Sequence, residues 1–133
     1  MANQTYHHGN LYQSLIDAAE RLLASGGTEK ISLRGLAREA GVSQTAPYRH
    51  FADKEALLSK VAIRGFEDFT NALQNAVDAN SDQSPQHQLT ALSRAYIKFS
   101  LDRPGVFQLM FLSDLLLKCA DPEMATTATA SFQ

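Results

Sequence analysis

The chain holds a single cysteine, Cys119, so it cannot close an internal disulfide. A lone thiol of this kind reads as a small apolar core residue rather than a redox centre. No apolar run approaches the roughly 18 residues of a membrane span, and the first residues lack the pattern of a signal peptide, so the expected location is cytoplasmic with no membrane partner. Nowhere do polar and apolar residues alternate for long, which argues against strands. Also missing are a Ser/His/Asp constellation, a phosphate-cradling glycine loop, paired carboxylates and a metal-spaced Cys/His set. The chain therefore reads as a non-enzyme without cofactor or metal. The adjacent His7 and His8 have no Cys, Asp or Glu cluster beside them and read as a solvated arm.

The 133 residues are 44% hydrophobic, which is room for one moderate domain or two small helical units with a core. The net charge of −2 hides an uneven distribution. Residues 1–65 hold eight Lys/Arg against six Asp/Glu, while residues 66–133 hold four against eight. Three of the four histidines, His7, His8 and His50, also lie in the first half, where they raise the potential further in mild acid.

Apolar residues recur at three and four throughout, so the spacing predicts an all-α chain. Asn10 is placed to cap an opening helix running to about Ser25, with Gln13 available for a capping-box contact. Leu11, Leu15, Ala18, Ala19 and Leu22 form its stripe, and Gly26-Gly27 ends it. Asp53 caps a long fourth helix reaching about Ala79, whose apolar side holds Leu57, Leu58, Val61, Ala62, Phe66, Phe69, Leu73 and Val77. Residues 80–84 form a polar linker with a domain boundary nearby, and Pro85 suits the first turn of a fifth helix carrying Leu89, Leu92, Tyr96 and Phe99. Arg103-Pro104-Gly105 interrupts that helix before an apolar segment at residues 106–117. Residues 125–133 are rich in Ala and Thr and show no stripe.

Between the first and fourth helices lies I-S-L-R-G-L-A-R-E-A-G-V-S-Q-T-A-P-Y-R-H-F, residues 31–51, which reads as a helix-turn-helix. Ser32 caps a short second helix with Leu33, Leu36, Ala37 and Ala40 at helical spacing, and Gly41 stops it in a left-handed cap. Val42 is the expected plug of the turn. Ser43 then caps a third helix starting at Gln44. Two residues fit less comfortably: Gly35 costs roughly 1 kcal/mol against alanine in the second helix, and Pro47 lies inside the third, pushing Ala46 from helical geometry.

Residues 26–58 resemble the DNA-binding domain of the TetR family of bacterial repressors. The resemblance rests on Ser32, Leu36-Ala37, Gly41-Val42-Ser43, Tyr48-x-His50-Phe51 and Asp53-Lys54-x-x-Leu57. H-H-G-N-L at the start, A-P-Y-R-H-F in the middle and R-P-G-V-F-Q-L-M-F at residues 103–111 are similar to one subgroup whose C-terminal half is a helical effector-binding and dimerisation domain. The resemblance implies a DNA-binding domain at residues 8–53, a connecting helix at 54–79 and a partial ligand-binding and dimerisation domain at 84–133. It implies double-stranded operator DNA, a small apolar effector and a homodimer. Members of the family usually continue for roughly half as long again and pair through their last two helices, so dimerisation here falls to residues 106–117 and the exposed side of the fifth helix.

Gln44, Thr45 and Ala46 are candidates for base edges, since Gln pairs bidentately with adenine and the Thr or Ala methyl packs on a thymine methyl. Tyr48 and His50 are candidates for the phosphate backbone by resemblance to the family's contacts, and Ser43 and Arg49 are further DNA-binding candidates. Lys54 is placed to clamp a phosphate together with the free N–H groups of the fourth helix. Arg34 joins this set, although Arg34, Arg38 and Arg49 also suit an ordinary solvated face. Tyr48 equally suits the closing of a small three-helix core, His50 a cap or core position, and Phe51 is read as core. In the second half Phe66, Phe69, Tyr96, Phe99, Phe107, Met110 and Phe111 are candidates for an apolar ligand pocket, or for core alone. The expected function is ligand-responsive repression. The alternatives are a DNA-associated factor acting through a protein partner, and a helical enzyme or adaptor whose helix-turn-helix is only scaffold.

Overall fold

A computed structural model describes residues 10–111. His7, His8, Cys119 and the apolar and Ala/Thr-rich stretches after residue 111 lie outside the described residues. The elements are α1 (Leu11–Gly26), a 3₁₀ turn (Thr28–Lys30), α2 (Leu33–Ala40), a second 3₁₀ segment (Ala46–Arg49), α3 (Lys54–Ala79), α4 (Pro85–Asp102) and α5 (Pro104–Phe111). No strand occurs among the described residues. The chain divides into two compact units, Met1–Val61 and Ala62–Gln133. The division falls within α3, which runs uninterrupted from Lys54 to Ala79.

In the first unit α1 buries Leu15, Ile16, Ala18, Ala19 and Leu23, while Leu11 and Leu22 are only half-buried. The core face is thus turned by one residue from the expected stripe. Asn10 occupies the cap position, but its side chain makes no cap bond. Its carbonyl instead accepts from both the N–H and the hydroxyl of Ser14, each at 3.1 Å. Helix α2 starts as expected, with Ser32 Oγ accepting the Gly35 N–H at 3.0 Å. Leu33, Leu36 and Ala37 face inward, and a fully buried Leu such as Leu36 contributes roughly 1.5–3 kcal/mol. Gly41 ends the helix at φ 72° and ψ 30°. The Val42 N–H bonds to the Ala37 carbonyl and the Gly41 N–H to that of Arg38, which satisfies two carbonyls of the last turn. An exposed ion pair, Arg21–Glu39 at 2.9 Å, joins α1 to α2.

Helix α3 is 26 residues long, about 39 Å at 1.5 Å per residue. Its first turn is capped by Asp53, whose Oδ1 accepts the Ala56 N–H at 2.8 Å. Leu57, Leu58, Val61, Ala62, Phe66 and Phe69 are buried as the spacing predicts. The stripe then fades, with Leu73 half-buried and Val77 exposed, so the last turns of α3 are only loosely covered.

In the second unit Ser84 caps α4 by accepting the His87 N–H at 3.2 Å, with Pro85 in the first turn. Of the expected α4 stripe only Phe99 is buried; Leu92 is half-buried, and Leu89 and Tyr96 are 62% and 44% exposed. Ile97 and Leu101 are exposed as well. Helix α5 packs against α3 at Gly65, where an added Cβ would stand 2.7 Å from both Met110 Sδ and Val106 Cγ1. Arg103, between α4 and α5, pairs with Asp68 of α3 at 2.8 Å and lies over the Phe99 ring.

Candidate nucleic-acid interface

The second half of the helix-turn-helix differs from expectation in geometry. Gln44 and Thr45 form a turn, and residues 46–49 wind as a 3₁₀ segment rather than an α-helix. The cause is Pro47, which has no N–H to return to the Ser43 carbonyl and disfavours α geometry at Ala46. The bonds that form are of the tighter kind: Ala46 N–H to Ser43 O at 3.0 Å, Tyr48 N–H to Thr45 O at 3.1 Å and His50 N–H to Pro47 O at 3.0 Å. Ser43 does not cap an α-helix; its hydroxyl lies 3.4 Å from that of Thr45.

This winding decides which side chains face outward. Ala46 is 7% exposed and Pro47 is fully buried, so the two close the turn against the core, a role the sequence suggested for Val42, which is only half-buried. The Ala46 methyl, a candidate for a base edge, is therefore turned inward. Ser43, Gln44, Thr45, Tyr48, Arg49 and His50 are exposed. With three residues per turn, Thr45 and Tyr48 stand one above the other on the outer side. Tyr48, 52% exposed, does not close the core.

The end of the segment is held by a residue that sequence reasoning missed. Tyr12 of α1 stacks on Phe51 with ring centroids 5.2 Å apart and an interplanar angle of 20°. The edge-to-face partner of Tyr12 is His50, at 5.8 Å. Phe51 is buried as expected, at 2% exposure. The available signal was the spacing of Tyr12 from Ile16, Ala19 and Leu23, three residues on the inner side of α1.

The charges around this surface are unbalanced. Arg34, Arg38 and Arg49 are exposed, Lys54 is half-buried, and none of the four has an ion-pair partner among the described residues. The two acids of the same stretch are engaged: Glu39 with Arg21, and Asp53 with the Ala56 N–H. That second bond qualifies the phosphate clamp at Lys54, since one of the helix-end donors is already taken. Solvated arginines without acidic partners, beside exposed hydroxyl, amide, phenol and imidazole groups, suit a polyanion whose base edges are accessible.

The seven residues expected to line a ligand pocket all lie in the second unit, where the six aromatic ones form a connected set of ring contacts. Phe69 meets Tyr96, Phe99 and Phe111 edge-on at 5.2–5.6 Å. Phe111 also touches Phe66 and Phe107, and Phe107 touches Tyr96. Phe66 and Met110 are fully buried. Such contacts are what aromatic core residues make, each pair worth about 0.5–1.5 kcal/mol beyond area burial. No group of three or more His, Cys, Asp or Glu able to hold a metal occurs among the described residues, and no helix there is long and apolar enough to cross a membrane.

The first unit is thus a helix-turn-helix domain, a short capped helix and a tight turn presenting a polar segment. Residues 15–61, most of that unit, match the model of the bacterial regulatory proteins of the tetR family. Relatives include the HTH-type transcriptional regulator Rv1816 of Mycobacterium tuberculosis, 24% identical over 122 residues, or 89% of this chain and 52% of the relative. The HTH-type nicotine-responsive transcriptional repressor HdnoR of Paenarthrobacter nicotinovorans is 34% identical over 70 residues, covering 53% of this chain and 36% of that protein. A solved structure of a protein of unknown function from Rhodococcus sp. RHA1 superposes with a TM-score of 0.81 at 38% identity, covering 95% of this chain and 64% of the other. The chain spans about half the length of the Mycobacterium relative.

Proposed function

We propose that this chain is a DNA-binding transcriptional regulator that represses from an operator and releases it when an effector binds the second unit. The observation that carries the reading is the outer surface of the helix-turn-helix, where Arg34, Arg38, Arg49 and Lys54 lack acidic partners around exposed Gln44, Thr45 and Tyr48. Thr45 and Gln44 face base edges, and Tyr48, Arg49, His50 and Lys54 hold phosphates. Ser43 and Arg34 flank this contact. Repression and effector response are supported by the nicotine-responsive repressor among the relatives. The working form is a homodimer in the cytoplasm, since two recognition segments about 34–36 Å apart match successive major grooves of a palindromic site. Helix α3, continuous from one unit to the other, carries the effector's bias to the DNA-binding unit.

The test is selection of DNA fragments from a random pool. The parent chain selects a palindrome, and Gln44→Ala or Thr45→Ala changes preference at one or two base pairs, each worth about 1–3 kcal/mol. Variants that select the parental site with parental discrimination remove these two residues from the reading head.

A further inference from the structure

Apart from the aromatic cluster, the second unit holds a hollow lined by described residues. About 360 Å³ of space lies between the last turns of α3 and the face of α4 that carries His87, Ala91, Arg94, Ala95 and Lys98. Its floor is formed by the methyls of Ala76, Ala91 and Ala95, and no acidic residue lines it. The size is at the lower end of small-molecule sites. The polar groups at its rim differ in their state. Lys98 is committed to Asp102 at 2.5 Å. Arg94 is exposed and has no carboxylate partner among the described residues. The imidazole of His87 is likewise without a partner there, only its backbone N–H being bonded, to Ser84.

We infer that this hollow binds a small amphipathic monocarboxylate, the alkyl part lying on the alanine floor and the carboxylate on the Arg94 guanidinium. The chemistry follows from the lining. A purely apolar ligand would leave Arg94 unused, and of the two permanent cations at the rim Lys98 is paired with Asp102, which leaves Arg94 for a single carboxylate. A guanidinium presents two parallel N–H donors that fit one carboxylate and make bonds about twice as strong as neutral ones. A cationic amphipath would meet Arg94 with like charge. The site's regulatory meaning rests on the effector reading above, but its existence does not.

The test uses the full chain and four probes, octanoate, octan-1-ol, octylamine and acetate, titrated calorimetrically below micelle-forming concentrations. Octanoate binds at one site per chain, octan-1-ol binds more weakly, and octylamine and acetate do not register. Arg94→Ala weakens octanoate by roughly tenfold or more, while Arg94→Lys recovers part of that loss because it restores charge without the fork. Ala91→Phe fills the floor and abolishes binding with Arg94 intact, and circular dichroism verifies that each variant is folded. Absence of octanoate binding, equal binding of octylamine, or octanoate affinity indifferent to Arg94→Ala overturns the inference. DNA titration of the same samples separates the two claims. DNA binding without octanoate binding removes the site and leaves the regulator, whereas Arg94-dependent octanoate binding that leaves DNA affinity unmoved keeps the site and removes the effector response.

Discussion

Replacing Gly65 by alanine sets helix propensity against packing at one atom. Alanine in the middle of α3 would add about 1 kcal/mol of helix stability. The added methyl, however, would lie 2.7 Å from Val106 Cγ1 and 2.7 Å from Met110 Sδ. Both neighbours are fully or almost fully buried, at 1% and 0% exposure, so neither can swing into solvent. Overpacking of this kind costs about 1–3 kcal/mol, so Gly65→Ala should be destabilising by about 0–2 kcal/mol net. Val106→Ala alone loses two methyl groups, worth about 1.6 kcal/mol of transfer energy plus a cavity term. In the double variant the new methyl at position 65 takes the place vacated by Val106 Cγ1, while the flexible Met110 thioether adjusts. The double variant should therefore be more stable than the sum of the single changes by about 1 kcal/mol or more. Urea unfolding followed by far-UV circular dichroism measures all four species. Additive effects, with Gly65→Ala stabilising by its full propensity gain, would refute the close approach of α5 to α3.

Gly41→Ala should cost about 1 kcal/mol or more of stability, because Gly41 sits at φ 72° where a side chain is disfavoured; a thermal melt reads the loss, and an unchanged melting temperature contradicts the left-handed cap. Pro47→Ala should allow the segment at residues 46–49 to wind as an α-helix, at the expense of a fully buried ring. It should lower the melting temperature and shift base preference together, and a variant with parental stability and parental site preference would show that Pro47 does not set the winding.

Capping chemistry was the most legible layer of the sequence. Ser32, Gly41, Asp53 and the Ser84-Pro85 pair act within four residues of themselves, so their meaning does not depend on what packs over them. The apolar faces of α2 and of the first part of α3 were legible for a similar reason: their stripes are dense enough to fix one side. Winding at residues 46–49 was visible only as a tension at Pro47, since propensity shows that an α-helix is disfavoured but not that the 3₁₀ alternative places Ala46 inside. Tyr12 escaped because its role is a long-range stack on Phe51. For the second unit, aromatic richness pointed to a gathering of large rings, yet composition does not tell which of them meet edge-on. The hollow beside Arg94 left no motif, being built from three alanines that are unremarkable in sequence and become a floor only where α3 and α4 face each other.

The central claim is that the first unit binds DNA through the unpaired cations of its helix-turn-helix. The most direct measurement is the dissociation constant of the full chain for its selected duplex as a function of salt. The expected result is a linear fall of log K with log salt, a slope reduced by roughly 0.9 for each of Arg49→Ala and Lys54→Ala, and an unchanged slope for Arg94→Ala, a cation of the other unit. Binding indifferent to salt, or slopes that Arg49→Ala and Lys54→Ala leave at the parental value, would contradict it.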